Sequence, residues 1–221
     1  MEIVIDYRPH PGQQQVHDCR ARFRTITAGR RWGKTLCLTA ELIDRAGQTP
    51  GDYAWIGPTY QITERGIDAL RTIAPPQLVT LHGTAPRWAE MPHLGSRIYY
   101  LSSDNPTSIR GHGFMGLVAD EAPYIEQDAW QYAIRPTISQ TLGWAVLVGT
   151  PRGRNWFYDM HTLGGTDPDH ASFVFPSNSN PYFPASEWDE ARRTLPADVF
   201  RQEYQAEFLE DSAGVFRGIE A

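Results

Sequence analysis

Lysine is almost missing from this chain. Of its 20 basic side chains only Lys34 is a lysine; the rest are arginine. No apolar run approaches the ~18 residues that span a bilayer, which argues against a membrane protein. The start, Met1-Glu2-Ile3-Val4-Ile5-Asp6, lacks the basic residues of a secretory leader. Cysteine is scarce, and Cys19 and Cys37 form neither a CxxC pair nor a zinc spacing. Both features fit a reducing cytoplasm. The seven histidines contain no HExxH. Excess positive charge is also lacking: the net charge of -6 argues against tight nucleic-acid binding by the chain alone, though a local basic face remains open. There is no internal repeat and no low-complexity tract.

What is present is the composition of a globular protein, with 41% hydrophobic and 21% charged residues. A length of 221 residues suits one domain with room for a small appendage. Short apolar runs alternate with helical patterns, as in a βαβ sheet protein. The pattern predicts strands at Arg24–Ala28, Tyr53–Gly57, Arg97–Leu101, Phe114–Ala119 and Trp144–Val148. It predicts helices at about Gly33–Ala46, Ile62–Ala74 and Glu126–Ile134. From Thr162 to Pro184 the chain is rich in Gly, Pro, Asp and Asn and reads as irregular. Two helices, about Pro184–Leu195 and Asp198–Leu209, then form an appendage. The expected organisation is a core at 1–160 and a lid or linker at 161–221.

The lone lysine stands in Ala28-Gly29-Arg30-Arg31-Trp32-Gly33-Lys34-Thr35, between a predicted strand and a predicted helix. That is the context of a phosphate loop. Backbone N–H groups of such a turn, with the helix N-terminus, cradle phosphate oxygens. Lys34 would reach the β- and γ-phosphates, and the Thr35 hydroxyl would ligate Mg²⁺. The strict GxxxxGK[ST] pattern wants glycine at 28, where this chain has Ala28 with Gly29 beside it. An arginine fork does not replace a lysine in this position, so the placement of the single lysine is informative.

A second signal is the apolar strand Phe114–Ala119 ending in Asp120-Glu121. The carboxyl ends of parallel strands are where ligands bind in open α/β folds. Asp120 would hold Mg²⁺, directly or through water, and Glu121 would polarise an attacking water. A metal-dependent nuclease would need further carboxylates for two metals, and no convincing set is visible.

Gly29-Arg30-Arg31-Trp32-Gly33-Lys34-Thr35, Ile109-Arg110-Gly111, Asp120-Glu121-Ala122, Val148-Gly149-Thr150-Pro151-Arg152-Gly153 and Gln202-Glu203-Tyr204-Gln205-Ala206-Glu207-Phe208 followed by Val215-Phe216 occur in this order along nearly the whole chain. Together they resemble the ATPase half of the large terminase subunits of tailed phages. The resemblance implies a P-loop NTPase of the RecA-like (ASCE) kind: a mostly parallel sheet flanked by helices, with a small C-terminal helical lid. It implies ATP and Mg²⁺ as cofactors and ATP hydrolysis that drives double-stranded DNA into a procapsid. The site residues it implies begin with the loop, Gly29 to Thr35. Gln13 is the candidate reader of adenine, with Gln14 and Gln15 as rivals. Arg110 would be an arginine finger supplied to a neighbouring subunit, with Arg30 and Arg31 as rivals acting in cis. Thr150 would sense the γ-phosphate. The implied partners are DNA (bound weakly in isolation), the portal and procapsid, the small terminase subunit, and further copies of the chain in a ring of five, with a monomer in solution. The implied location is the host cytoplasm.

Members of that family carry a nuclease domain after the motor. The residues after Phe216 cannot hold one, so an excised ATPase domain is expected and DNA cleavage is not. The alternatives are another P-loop translocase or helicase, a P-loop phosphotransferase, and a nucleotide-binding scaffold without activity. Trp55, Trp88, Trp130, Trp144, Trp156 and Trp188 read as packing residues, Cys37 as core, and Arg192-Arg193 as a solvated helix face.

Overall fold

The computed structural model describes residues 5–83 and 87–210. Val215 and Phe216 lie outside the described residues.

Eight strands among the described residues form one sheet. In chain order they are β1 (Phe23–Ala28), β2 (Asp52–Gly57), β3 (Thr80–His82), β4 (Arg87–Met91), β5 (Ser96–Ser102), β6 (Gly116–Asp120), β7 (Trp144–Gly149) and β8 (His170–Phe175). Their spatial order is β3-β4-β5-β2-β6-β7-β1-β8. The six strands from β5 to β8 pair in parallel. The β3–β4 hairpin adds two antiparallel strands at one edge. β1, β6 and all but the first residue of β2 and β7 are buried, as central strands covered on both faces must be.

Alternation along the strands divides the core into two layers. Tyr53 and Trp55 of β2 pack on one face with Ile26, Val118 and Val146, beneath α2 (Lys34–Gln48) and α3 (Tyr60–Ile73). Ala54 and Ile56 point to the other face with Leu117, Ala119 and Leu147, where Trp130, Ile134, Trp156 and Phe157 cover them. Trp55, Trp130 and Trp156 are therefore core, as is Cys37. Trp88, Trp144 and Trp188 are half-buried, and Arg192 and Arg193 are exposed.

Several elements differ from the sequence expectation. The helix expected at Glu126–Ile134 is broken: a single α turn at Gln127–Ala129 widens into a π turn at Trp130–Ile134 and tightens into a 3₁₀ turn at Arg135–Ile138. Pro136 brings no amide N–H to this run. The stretch read as irregular contains a helix, Trp156–Leu163, and β8, which pairs with β1 along its whole length. Residues 170–175 thus belong to the core sheet, and the boundary expected at 160 falls inside the Trp156–Leu163 helix. β8 is an edge strand with mostly half-buried side chains, which hides it in a Gly- and Pro-rich context. A further helix, α1 (Pro11–Asp18), stands where only a polar glutamine segment was legible. Proline opens it, as suits a first helical position, and the amide N–H of His10 donates to Gln13 Oε1 at 3.1 Å. The two expected C-terminal helices are present at Ala185–Thr194 and Ala197–Glu203.

Candidate active site

β7 lies between β1 and β6 in the sheet. The loop after β1, Thr150 after β7 and the acids after β6 therefore meet along one carboxyl edge. This is the crevice where open α/β sheets bind ligands.

The loop makes a tight turn into α2. Arg31 and Gly33 both adopt left-handed backbone, with φ of 60° and 97°. Glycine takes this conformation freely, whereas for arginine it is uncommon. At Gly29 a side chain would crowd backbone: a Cβ there would lie 2.5 Å from Ser177 Oγ and 2.6 Å from the Tyr204 carbonyl. Ala28 is the last residue of β1, fully buried. The close approach that glycine serves thus falls at 29. Trp32 turns inward, stacking on Phe175 at 4.4 Å and donating its indole N–H to Ser179 Oγ at 3.1 Å. Its side chain anchors the loop against β8 and the segment after it.

Lys34 Nζ donates to the Ala28 carbonyl at 2.9 Å and lies 3.4 Å from Thr150 Oγ1. Thr150 in turn donates to the Ala28 carbonyl at 3.4 Å. Burial pulls the Lys34 ammonium below its ordinary range, opposed by Glu121, Asp120 and Glu203. Asp120 is almost fully buried. Burial first, and the adjacent Glu121 second, push its carboxyl up to about 7 against the pull of Lys34, the Glu121 amide and Arg65. A buried carboxyl with so little compensating charge suits a cation. Mg²⁺ takes oxygen ligands and keeps several waters, so the Thr35 hydroxyl and Asp120, with phosphate oxygens, make a fitting donor set. Glu121 holds left-handed backbone at φ 50°. Such strain in a bulky residue clusters at functional sites.

The surrounding cavity has a volume of about 1590 Å³ and is lined by Lys34, Thr35, Glu121 and Thr150, among others. Arg30 and Arg31 also line it, and Arg30 pairs with Glu203 at 2.7 Å. Of the three glutamines, only Gln13 touches the loop. It is buried, and its Nε2 donates to the Gly33 carbonyl at 3.2 Å. Gln14 and Gln15 are exposed, Gln14 reaching Asp18. Arg110 lies outside this cavity. It is exposed at the end of the short turn Pro106–Ile109, which the fully buried Ile109 anchors.

The family described as "Terminase large subunit, T4likevirus-type, N-terminal" matches residues 25–221. The chain belongs to the large terminase family. The large terminase subunit of Thermus virus P23-45 is 30% identical across 98% of this chain, and that of Escherichia phage T5 is 26% identical across 87%. The chain spans about half the length of these curated relatives. The solved large terminase ATPase domain of Thermus phage P74-26 is 26% identical, with a TM-score of 0.75 over 92% of this chain and 95% of that one. The large terminase of bacteriophage D6E, solved in complex with ADP, shares the fold at 14% identity, with a TM-score of 0.75 over 94% of this chain and 54% of that one. Among the described residues no helix of this terminase chain is long and apolar enough to cross a membrane.

Further residues without an assigned role in the sequence reach this terminase site. Arg65 on α3 reaches Glu121 at 3.6 Å. Asn180 donates its Nδ2 to the Arg31 carbonyl at 2.9 Å. Glu203 accepts the backbone N–H of Arg30 on its own carbonyl at 2.8 Å. Arg65 and Asn180 come from elements distant in sequence and no local motif marks them, whereas Glu203 stands in the Gln202–Phe208 segment that carries the resemblance, without a site role assigned there.

Proposed function

We propose that this chain hydrolyses MgATP and acts as the motor domain of a terminase that drives double-stranded DNA into a procapsid. The observation that carries the reading is the convergence of Lys34, at the start of the helix that follows β1, with Thr150 after β7 and the Asp120-Glu121 pair at the end of β6, the three strands being neighbours. Loop amides and Lys34 neutralise the phosphates. Thr35 and Asp120 would hold Mg²⁺, which would supply positive charge against the phosphates. Glu121 orients the attacking water, and Thr150, beside Lys34, senses the γ-phosphate. Gln13 reads the adenine edge through the amide N–H and lone pair that its two hydrogen bonds leave over.

Arg110 serves as the arginine finger of a neighbouring copy. Its support is exposure on an anchored turn outside its own chain's cavity. Arg31 lines the cavity and is the rival in cis, while Arg30 is held by Glu203. The helices Ala185–Thr194 and Ala197–Glu203 form the lid, linked to the loop through Arg30. The portal, the procapsid and the small terminase subunit are the partners of the assembled ring of five, and the host cytoplasm is its setting.

The test is Glu121→Gln with no added phosphate acceptor. Wild type releases free phosphate from ATP and water. The variant keeps MgATP binding and loses about 10²–10⁴-fold in turnover, the range for a positioned base. Near-normal turnover would remove Glu121 from this role. Phosphate release only with an added acceptor would favour a phosphotransferase.

A further inference from the structure

The nucleotide cleft has a wall that the phosphate loop does not build. After β8 the chain folds back along the loop, and Asn180 fastens it there. Asn180 donates its Nδ2 to the Arg31 carbonyl at 2.9 Å, and its Oδ1 accepts the Tyr182 N–H at 2.9 Å. The Phe183 N–H closes a turn on the Asn180 carbonyl at 3.0 Å. The segment 180–183 thus keeps its place relative to the loop.

The two aromatic residues of this turn behave differently. Phe183 is half-buried and meets Tyr204 edge-on at 6.3 Å. Tyr182 lines the same cavity as Lys34, yet it is 79% exposed, the most exposed large hydrophobic side chain among the described residues. An aromatic ring left bare on the wall of a phosphate-binding cleft offers a flat apolar face with no protein partner. A nucleobase matches that face. Gln13, by contrast, is buried and already engaged at both ends of its amide, so it offers an edge contact and no stacking surface.

We propose that Tyr182 forms a nucleobase subsite, stacking its ring on the base of the bound nucleoside triphosphate. This rests on the nucleotide-binding reading above and extends it from the phosphates to the base. Stacking tolerates any base because every base has a π-face, and the larger purine face gains more. The phenol hydroxyl is not needed for the contact.

Binding of two probes to the purified chain with Mg²⁺ tests this: ATP, and inorganic tripolyphosphate, which lacks a base. Tyr182→Ala is expected to weaken ATP binding about 5- to 150-fold, the range of one base–aromatic stack. Tripolyphosphate binding should not change. Tyr182→Phe should bind ATP like wild type, and CTP should lose less than ATP on Tyr182→Ala. Unchanged ATP affinity in Tyr182→Ala would overturn the proposal. So would an equal loss of ATP and tripolyphosphate, which would mark Tyr182 as a prop for the loop. If wild type bound neither probe, the nucleotide site itself would fall, a result separable from failure of the stack alone.

Discussion

Glu41 shows how one buried carboxylate ties α2 to β1 and α1. It is 1% exposed and meets Arg24 at 2.8 Å, Arg45 at 3.0 Å and His17 at 2.6 Å. Burial pushes its carboxyl up, but the His17 hydrogen bond and the charges of Arg24 and Arg45 outweigh burial and hold it at about 2. The folded value lies below the ordinary 4.5, so its stabilisation is complete above that pH and is lost as pH falls toward 2. The loss amounts to roughly 3 kcal/mol. Glu41→Gln should destabilise by about 3–5 kcal/mol near neutral pH, because Arg24 is left buried and unpaired. In urea titrations the gap between wild type and variant should narrow below about pH 4.5; a gap independent of pH would refute the assignment. In the loop, Ala28→Gly should cost about 1 kcal/mol or less and leave MgATP binding intact. Gly29→Ala should weaken binding and cost about 1–3 kcal/mol, since its Cβ meets Ser177 and the Tyr204 carbonyl. That pair of substitutions, read by urea unfolding and nucleotide titration, locates the essential glycine. Lys34, Asp120 and Glu121 were legible in sequence because their chemistry follows a strand within a few residues. Arg65 and Asn180 were not, because contact with the site depends on folding.

The elements behind the loop matter as much as the loop. α1 holds it from one side, with His10 Nε2 3.1 Å from the Trp32 carbonyl and Gln13 bound to Gly33. β8 holds it from the other, where Phe175 stacks on Trp32 and its carbonyl accepts the Gly29 N–H at 2.9 Å. Phe175→Ala should cost about 3–5 kcal/mol in denaturant unfolding. It should also weaken MgATP binding, because the indole loses its backing; wild-type affinity in a folded variant would argue that β8 does not support the loop. Neither element was legible as such. Glutamines conceal the helical pattern of α1, where Gly12, Gln13 and Val16 are the buried residues. β8 has one fully buried side chain, so the alternation that marks a half-buried strand is weak. β6 and β7 were legible because their runs are almost wholly apolar, and α3 because its buried positions recur at helical spacing.

At the scale of the whole molecule, the proposed action of Arg110 on a neighbouring copy makes a prediction of its own. If Arg110 completes a neighbour's site, Arg110→Ala and Glu121→Gln proteins are each inactive, yet mixing them restores part of the ATPase rate at interfaces that combine the intact halves. No rescue at any ratio, with assembly demonstrated, would favour Arg31 acting in cis. A finger of this kind contributes about 10³–10⁵ in rate, so even partial rescue is measurable. Local order dictated a strand, a turn and a helix around Lys34, and a buried strand ending in Asp120 and Glu121, because hydrogen-bonding and hydrophobic periodicity act over a few residues. Folding alone set β7 between β1 and β6, brought Thr150 to Lys34, and laid the 180–204 segment against the loop. The pairing of β6 with β7 spans 28 positions and the other contacts more than a hundred, and only the packing of a shared sheet and two core layers selects them.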